Sequence, residues 1–343
     1  MITHRSAWRT YGLPVKQPAA SWSVLKRQEH LCAGIDDVRH RLVHWNPLSQ
    51  MLVGQPGASQ FAVPCDVPLL SAELVARTRR SLATGAFGWT ILTAMAILMH
   101  LRSDDNYFLG FAGMTAVMAS LSCSERWFGL SDRKGLSQRS VFFYWLQTAP
   151  APRTSFFAAL VIGLLAGLCQ VPIQTKLGGF EKLVEGYGFY YQAVRQGEHW
   201  GVLTVPFLHS SVPHFLSNLT LLAFIAPVTG ALAGARGAIA VTLVGCFAGA
   251  YSQMWLGPGG DAQVGASAGI LGLYAYVTSL SLLRVIDLPK GFVWVIATVA
   301  VASVLGAGLF STAVANAAHL TGLLVGGVWS LAHIGSRSAQ NES

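Results

Sequence analysis

Eight apolar runs of membrane-spanning length leave this chain few possible folds. They fall at about 82–101, 106–123, 155–172, 213–230, 236–255, 264–283, 291–309 and 314–333. A spanning helix needs about 20 mostly apolar residues, with a range of roughly 17–25. Lipid offers a backbone no hydrogen bonds, so runs of this kind cross the membrane as helices. The expected fold is therefore an all-α polytopic membrane protein. Charge content agrees. Only 11% of the 343 residues are charged, against about 25% in soluble domains.

The runs fall into two blocks. The first two form a transmembrane hairpin around the turn Arg102-Ser-Asp-Asp-Asn106, and the last six form a second bundle. This predicts an N-terminal cytosolic segment over 1–80 and the hairpin with a basic linker over 81–154. A six-helix core over 155–333 and a short tail over 334–343 follow. The N-terminal segment reads as a solvated basic region, small or partly ordered. Its His30, Cys32, His40, His44 and Cys65 match no strong ligand spacing, so neither a metal nor any other cofactor is expected. The five cysteines show no CxxC pairing and predict no disulfide framework. The first 25 residues hold no continuous apolar stretch, which predicts no signal peptide.

The net charge of +8 points to lipid rather than nucleic acid, because the basic residues lie between the apolar runs. With the N-terminus in the cytoplasm, the inside segments carry 19 Lys/Arg and the outside segments 4, which together account for all 23. That bias orients both termini toward the cytoplasm. The long loop over about 173–212 carries Phe180, Tyr187, Phe189, Tyr190, Tyr191 and Trp200. It reads as a partly helical segment at the outer interface.

Three polar features interrupt the second block, each at the outer end of a helix. The first is His209-Ser-Ser-Val-Pro-His214-Phe-Leu-Ser-Asn218, with His214 and Asn218 four apart on one helical face. Taken alone, it fits interface histidines and an interhelical amide bond equally well. The second is Gly265-Ala-Ser267-Ala-Gly269. A nucleophile elbow needs a strand–turn–helix context, which is absent, so an α/β-hydrolase is excluded. Alone, Gly265, Gly269 and Gly272 also read as a close-packing face. The third is Ala318-His319-Leu-Thr-Gly322-Leu-Leu-Val-Gly326. An ionisable residue inside an apolar helix is costly and points to function. Gly322 and Gly326 form a GxxxG-type face beside it. The four polar groups share one depth, roughly 5–8 Å below the outer helix ends for Ser267 and His319. Glycine faces on the sixth and eighth helices are expected to bring those two together.

In these motifs the chain resembles the rhomboid proteases. The matching residues are His209, His214 and Asn218 (HxxxxHxxxN), Gly265 and Ser267 (GxS), and Ala318, His319, Gly322 and Gly326 (AHxxGxxxG). The run Gly197-Glu-His-Trp200 through Pro206-Phe-Leu-His209 is similar to the family's first outer loop. The resemblance covers about 155–333. It implies a Ser267–His319 dyad and an oxyanion hole from the Ser267 backbone N–H with His214 and Asn218. Gly265, His209, Gly269, Gly322 and Gly326 would support it. The implied activity is a serine endopeptidase that cuts transmembrane protein substrates near the outer face of a membrane, most simply a bacterial inner membrane. No Asp or Glu lies in the last six spans, so a third triad member is missing. The chain departs from the family pattern at Ala268 (usually Gly), Leu271 (often aromatic) and Gly201 (often Arg). The first departure puts a Cβ beside the expected oxyanion site. Two other readings are a catalytically silent relative that binds and escorts membrane helices, and a solute transporter. Retention of Ser267, His319, His214 and Asn218 disfavours the first. The absence of inverted repeats disfavours the second. The sequence sets no substrate identity and no oligomeric state.

Overall fold

The computed structural model describes residues 6–103, 106–257, 261–308 and 315–342. Asp104 and Asp105 of the hairpin turn, residue 309 and residue 314 lie outside the described residues.

The N-terminal region is folded, not loosely ordered. Strands β1 (Trp22–Leu25), β2 (Glu29–Cys32) and β3 (Leu52–Gly54) form an antiparallel sheet in the order β2-β1-β3. Trp22 pairs with Cys32, and Ser23 with Gly54. Helix α1 (Ile35–Arg41) covers the sheet, and Val24, Val38, Leu42, Trp45, Leu52, Val53, Phe61, Val63 and both cysteines fill the small core. Strands of three or four residues are too short for a legible period-2 pattern.

Helix α2 (Pro68–Ser103) begins well before the expected 82. Its first turns put Leu70 and Leu74 into the N-terminal core, so one continuous helix joins that core to the membrane. It packs along α3 (Asn106–Cys123), and the Thr93 and Thr115 hydroxyls meet at 2.8 Å. Helix α3 in turn rests on α12 (Phe292–Gly308), which settles where the hairpin sits.

The linker is helical as well, with α4 (Glu125–Phe128) and the amphipathic α5 (Arg133–Thr148). Asp132 caps α5 by accepting from the Gly135 N–H at 2.6 Å. Burial is the main cause that lowers the buried Arg139 guanidinium to about 10. It remains charged and donates to the carbonyls of Gly135, Gly129 and Leu130.

The core follows as α6 (Pro150–Leu177), a loop with α7 (Phe180–Tyr187), β4 (Phe189–Tyr190) and α8 (Tyr191–Arg195), then α9 (Val212–Thr229) and α10 (Ala235–Leu256). Strand β5 (Ala262–Gln263), α11 (Ser267–Leu282), α12 and α13 (Asn316–Glu342) complete it. Every expected span falls on one of these helices. Four stretches are long and apolar enough to cross a membrane: Pro68–Arg102, Pro150–Leu177, His214–Leu256 and Asn316–Ile334. The third holds α9 and α10 joined through a π turn. Phe111–Cys123, Ser267–Leu282 and Phe292–Val304 are shorter apolar helices. The molecule is an all-α polytopic membrane protein, with a six-helix core behind a two-helix hairpin.

Helix α11 is the hub, packed against α13, α10, α12 and α9. Strand β4 pairs with β5 through Phe189–Gln263 and Tyr190–Ala262. The Tyr191 N–H also bonds to the Asp261 carbonyl at 2.7 Å. The long loop is thereby fastened to the segment that leads into α11.

Candidate active site

Ser267 is the first residue of α11, three positions later than the expected helix start. The delay comes from Gly265, whose φ of +112° is a backbone conformation that suits glycine, and from its N–H bond to Val205 at 2.8 Å. The consequence is chemical. The first intrahelical bond runs from the Ile270 N–H to the Ala266 carbonyl, so the Ser267 N–H sits among the free donors of a helix N-terminus. At 1.5 Å per residue, a helix of 16 residues is about 24 Å long, shorter than the roughly 30 Å of a hydrocarbon core.

Helix α13 brings His319 to it, with Nε2 2.8 Å from Ser267 Oγ. The two helices touch backbone to backbone. A Cβ on Gly322 would sit 2.0 Å from the Ala268 carbonyl oxygen, and one on Gly326 would sit 2.0 Å from that of Gly272. The expected glycine face of α13 meets α11, and of the three glycines expected on the serine side Gly272 meets α13. On the serine side, Gly269 faces the Thr242 carbonyl of α10, and Gly265 faces α9. Sequence spacing sets which residues share a helix face but not which neighbour that face meets.

Helix α9 supplies the other two polar groups. A Cβ on Gly265 would lie 2.9 Å from His214 Nε2 and 3.7 Å from Asn218 Nδ2, so both side chains crowd the turn before Ser267. His214 Nδ1 meets Ser210 Oγ at 3.0 Å. With the serine hydroxyl donating, Nε2 carries the proton. Asn218 is buried and its Nδ2 has no hydrogen-bond partner among the described residues. His209 packs edge-on to His214 and Phe215, at 5.3 Å between ring centres in each case.

Two of the three sequence departures, Ala268 and Leu271, lie in the packed bundle. The Ala268 methyl packs against Gly249 of α10. Leu271 is buried in the bundle core. The Tyr274 hydroxyl donates to the Leu221 carbonyl, and the Tyr276 hydroxyl meets His333 Nδ1.

Residues 196–336 match the family model described as the Rhomboid domain. This is a rhomboid domain. No curated protein matches the chain. The rhomboid domain begins within the loop ahead of α9 and includes Ser267, His319, His214, Asn218 and His209. The match covers less than half of the chain and supports membership of a membrane-embedded protease family. Sequence reasoning missed two amides that brace the rhomboid site. Gln170 of α6 clamps the His209 peptide, donating to its carbonyl at 2.6 Å and accepting from its N–H at 2.8 Å. Gln253 of α10 accepts from the first turn of α13. The available signal was the cost of an amide inside an apolar span.

Proposed function

We propose that this protein is an intramembrane serine endopeptidase that cleaves membrane-anchored proteins near the outer face of the membrane. The observation that carries the reading is the 2.8 Å contact between His319 Nε2 and Ser267 Oγ. In this mechanism His319 Nε2 takes the hydroxyl proton as Ser267 Oγ attacks the peptide carbonyl carbon. The tetrahedral oxyanion is met by the Ser267 N–H, the His214 Nε2–H and the Asn218 Nδ2–H. Such preorganised donors are each worth roughly 3–4 kcal/mol in a dry site. His319 then returns the proton to the leaving amine. Water, activated by the same imidazole, hydrolyses the acyl-enzyme. Partial exposure of Ser267 and His214 supports water access. Because helical peptide carbonyls are shielded, the substrate unwinds at the cut.

The basic-residue bias supports cytoplasmic termini and the inner membrane of a bacterium, with 155–333 as the protease core. The test compares wild type with Ser267→Ala and His319→Ala in liposomes, on a model substrate with one spanning segment. The expected result is cleavage and fluorophosphonate labelling by wild type and neither by Ser267→Ala, with cleavage also lost in His319→Ala. Equal cleavage by all three overturns the dyad.

A further inference from the structure

His319 lacks the group that usually orients a catalytic histidine. In a triad, a carboxylate accepts the Nδ1–H and holds the ring. Here His319 is buried and its Nδ1 has no hydrogen-bond partner among the described residues. Ring placement therefore falls to the backbone of α13. A one-residue change in where that helix starts shifts His319 by about 1.5 Å along the axis and turns it by more than a quarter of a circle.

The start of α13 is fixed from outside the helix. Its first turn presents N–H groups with no intrahelical acceptor. The residue before it, Ala315, has no side-chain oxygen with which to cap them. Gln253 of α10 takes that role across the bundle. Its Oε1 accepts from the Ala317 N–H at 3.1 Å and from the Ala318 N–H at 3.3 Å. Gln253 is itself only 5% exposed. The adjacent Ser252 donates to the Ala317 carbonyl at 3.2 Å and accepts from the Thr321 hydroxyl at 2.7 Å. Two consecutive residues of α10 thus grip α13 on both sides of His319 in sequence.

We infer that Gln253 is a positioning residue for the general base, acting as a helix cap in trans in place of the missing third triad member. The inference rests on the reading of Ser267 and His319 as a catalytic pair. Gln253 touches neither substrate nor the reacting atoms. Its effect is to fix the height and rotation of His319 so that Nε2 meets Ser267 Oγ. A misplacement of about 1 Å in such a pair costs on the order of 100-fold in rate.

The test uses full-length protein in liposomes and the rate at which a fluorophosphonate labels Ser267. Gln253→Met keeps the length of the side chain and removes the acceptor, whereas Gln253→Glu keeps an acceptor oxygen. Thr93→Val, which breaks a hydroxyl contact in the distant hairpin, is the stability control. The expected result is a maximal labelling rate lowered on the order of 100-fold in Gln253→Met, at an unchanged half-saturating reagent concentration. Gln253→Glu should restore most of that rate, and the Tm loss in Gln253→Met should be no larger than in the control. Wild-type labelling by Gln253→Met overturns the inference about Gln253 alone. So does a rate loss that Gln253→Glu leaves unrepaired. Labelling that survives Ser267→Ala overturns the catalytic pair and the inference with it.

Discussion

At the linker end of the bundle, ion pairs and hydrogen bonds fasten the α11–α12 turn; at the serine end, polar groups close to Ser267 are left without partners among the described residues. Lys290 ties the α11–α12 turn to the linker, pairing with Asp132 and donating its backbone N–H to Gln138 Oε1 at 2.8 Å. Arg9 pairs with Asp287, and the buried Trp8 donates to the Asp287 carbonyl at 2.9 Å while packing on Phe142. Around Ser267, by contrast, Asn218 Nδ2 and His319 Nδ1 are buried without partners among the described residues. Each orphaned polar group costs roughly 1–3 kcal/mol. Such orphans lie where the catalytic site is proposed, and functional sites are where local rules of stability are most often broken.

Three substitutions break or sharpen that contrast. The largest effect is expected from Gly322→Val, which forces side-chain atoms into the Ala268 carbonyl. Helices α11 and α13 then separate, and both cleavage and the thermal transition collapse together; a near-wild-type Tm would mean the close approach is not required. Asn218→Leu should split the two properties. Activity falls on the order of 100-fold as a proposed oxyanion donor is lost. Tm holds or rises because a buried orphan is removed. A parallel loss of both would make Asn218 a structural group.

The smallest effect belongs to Asp132→Asn, which weakens the Lys290 pair at the linker end and costs about 1 kcal/mol of stability with activity retained. The same pair has a pH signature. Burial pushes the Asp132 carboxyl up, but hydrogen bonds from Lys290 and the Gly135 N–H outweigh it and hold the carboxyl below its ordinary value. A depressed carboxylate stabilises above its unfolded pKa, roughly 4, and that stabilisation is lost as pH falls through the folded value. Exposure makes the contribution small. Wild-type Tm should therefore fall slightly more steeply than that of Asp132→Asn below about pH 4.

Legibility followed the range of the physics. Hydropathy located the helices, because transfer into lipid is a property of each segment alone. The polar residues Ser267, His319, His214 and Asn218 stood out because they are costly in apolar spans. The N-terminal sheet was not readable, since its strands are three and four residues long. The start of α11 was misread because Val264 and Ala266 are as apolar as the helix itself. The backbone of Gly265 and the β4–β5 pairing, both non-local in cause, delay it to Ser267.

The sequence by itself determined that the chain is a polytopic helical membrane protein and which polar residues interrupt its apolar helices. Only the tertiary structure decided which helix each glycine meets, that the Ala268 methyl turns toward α10, and that α10 caps α13 through Gln253. Segment burial depends on composition and period. The 2.8 Å meeting of Ser267 and His319, 52 residues apart, depends on backbones close enough that a single Cβ would force them apart.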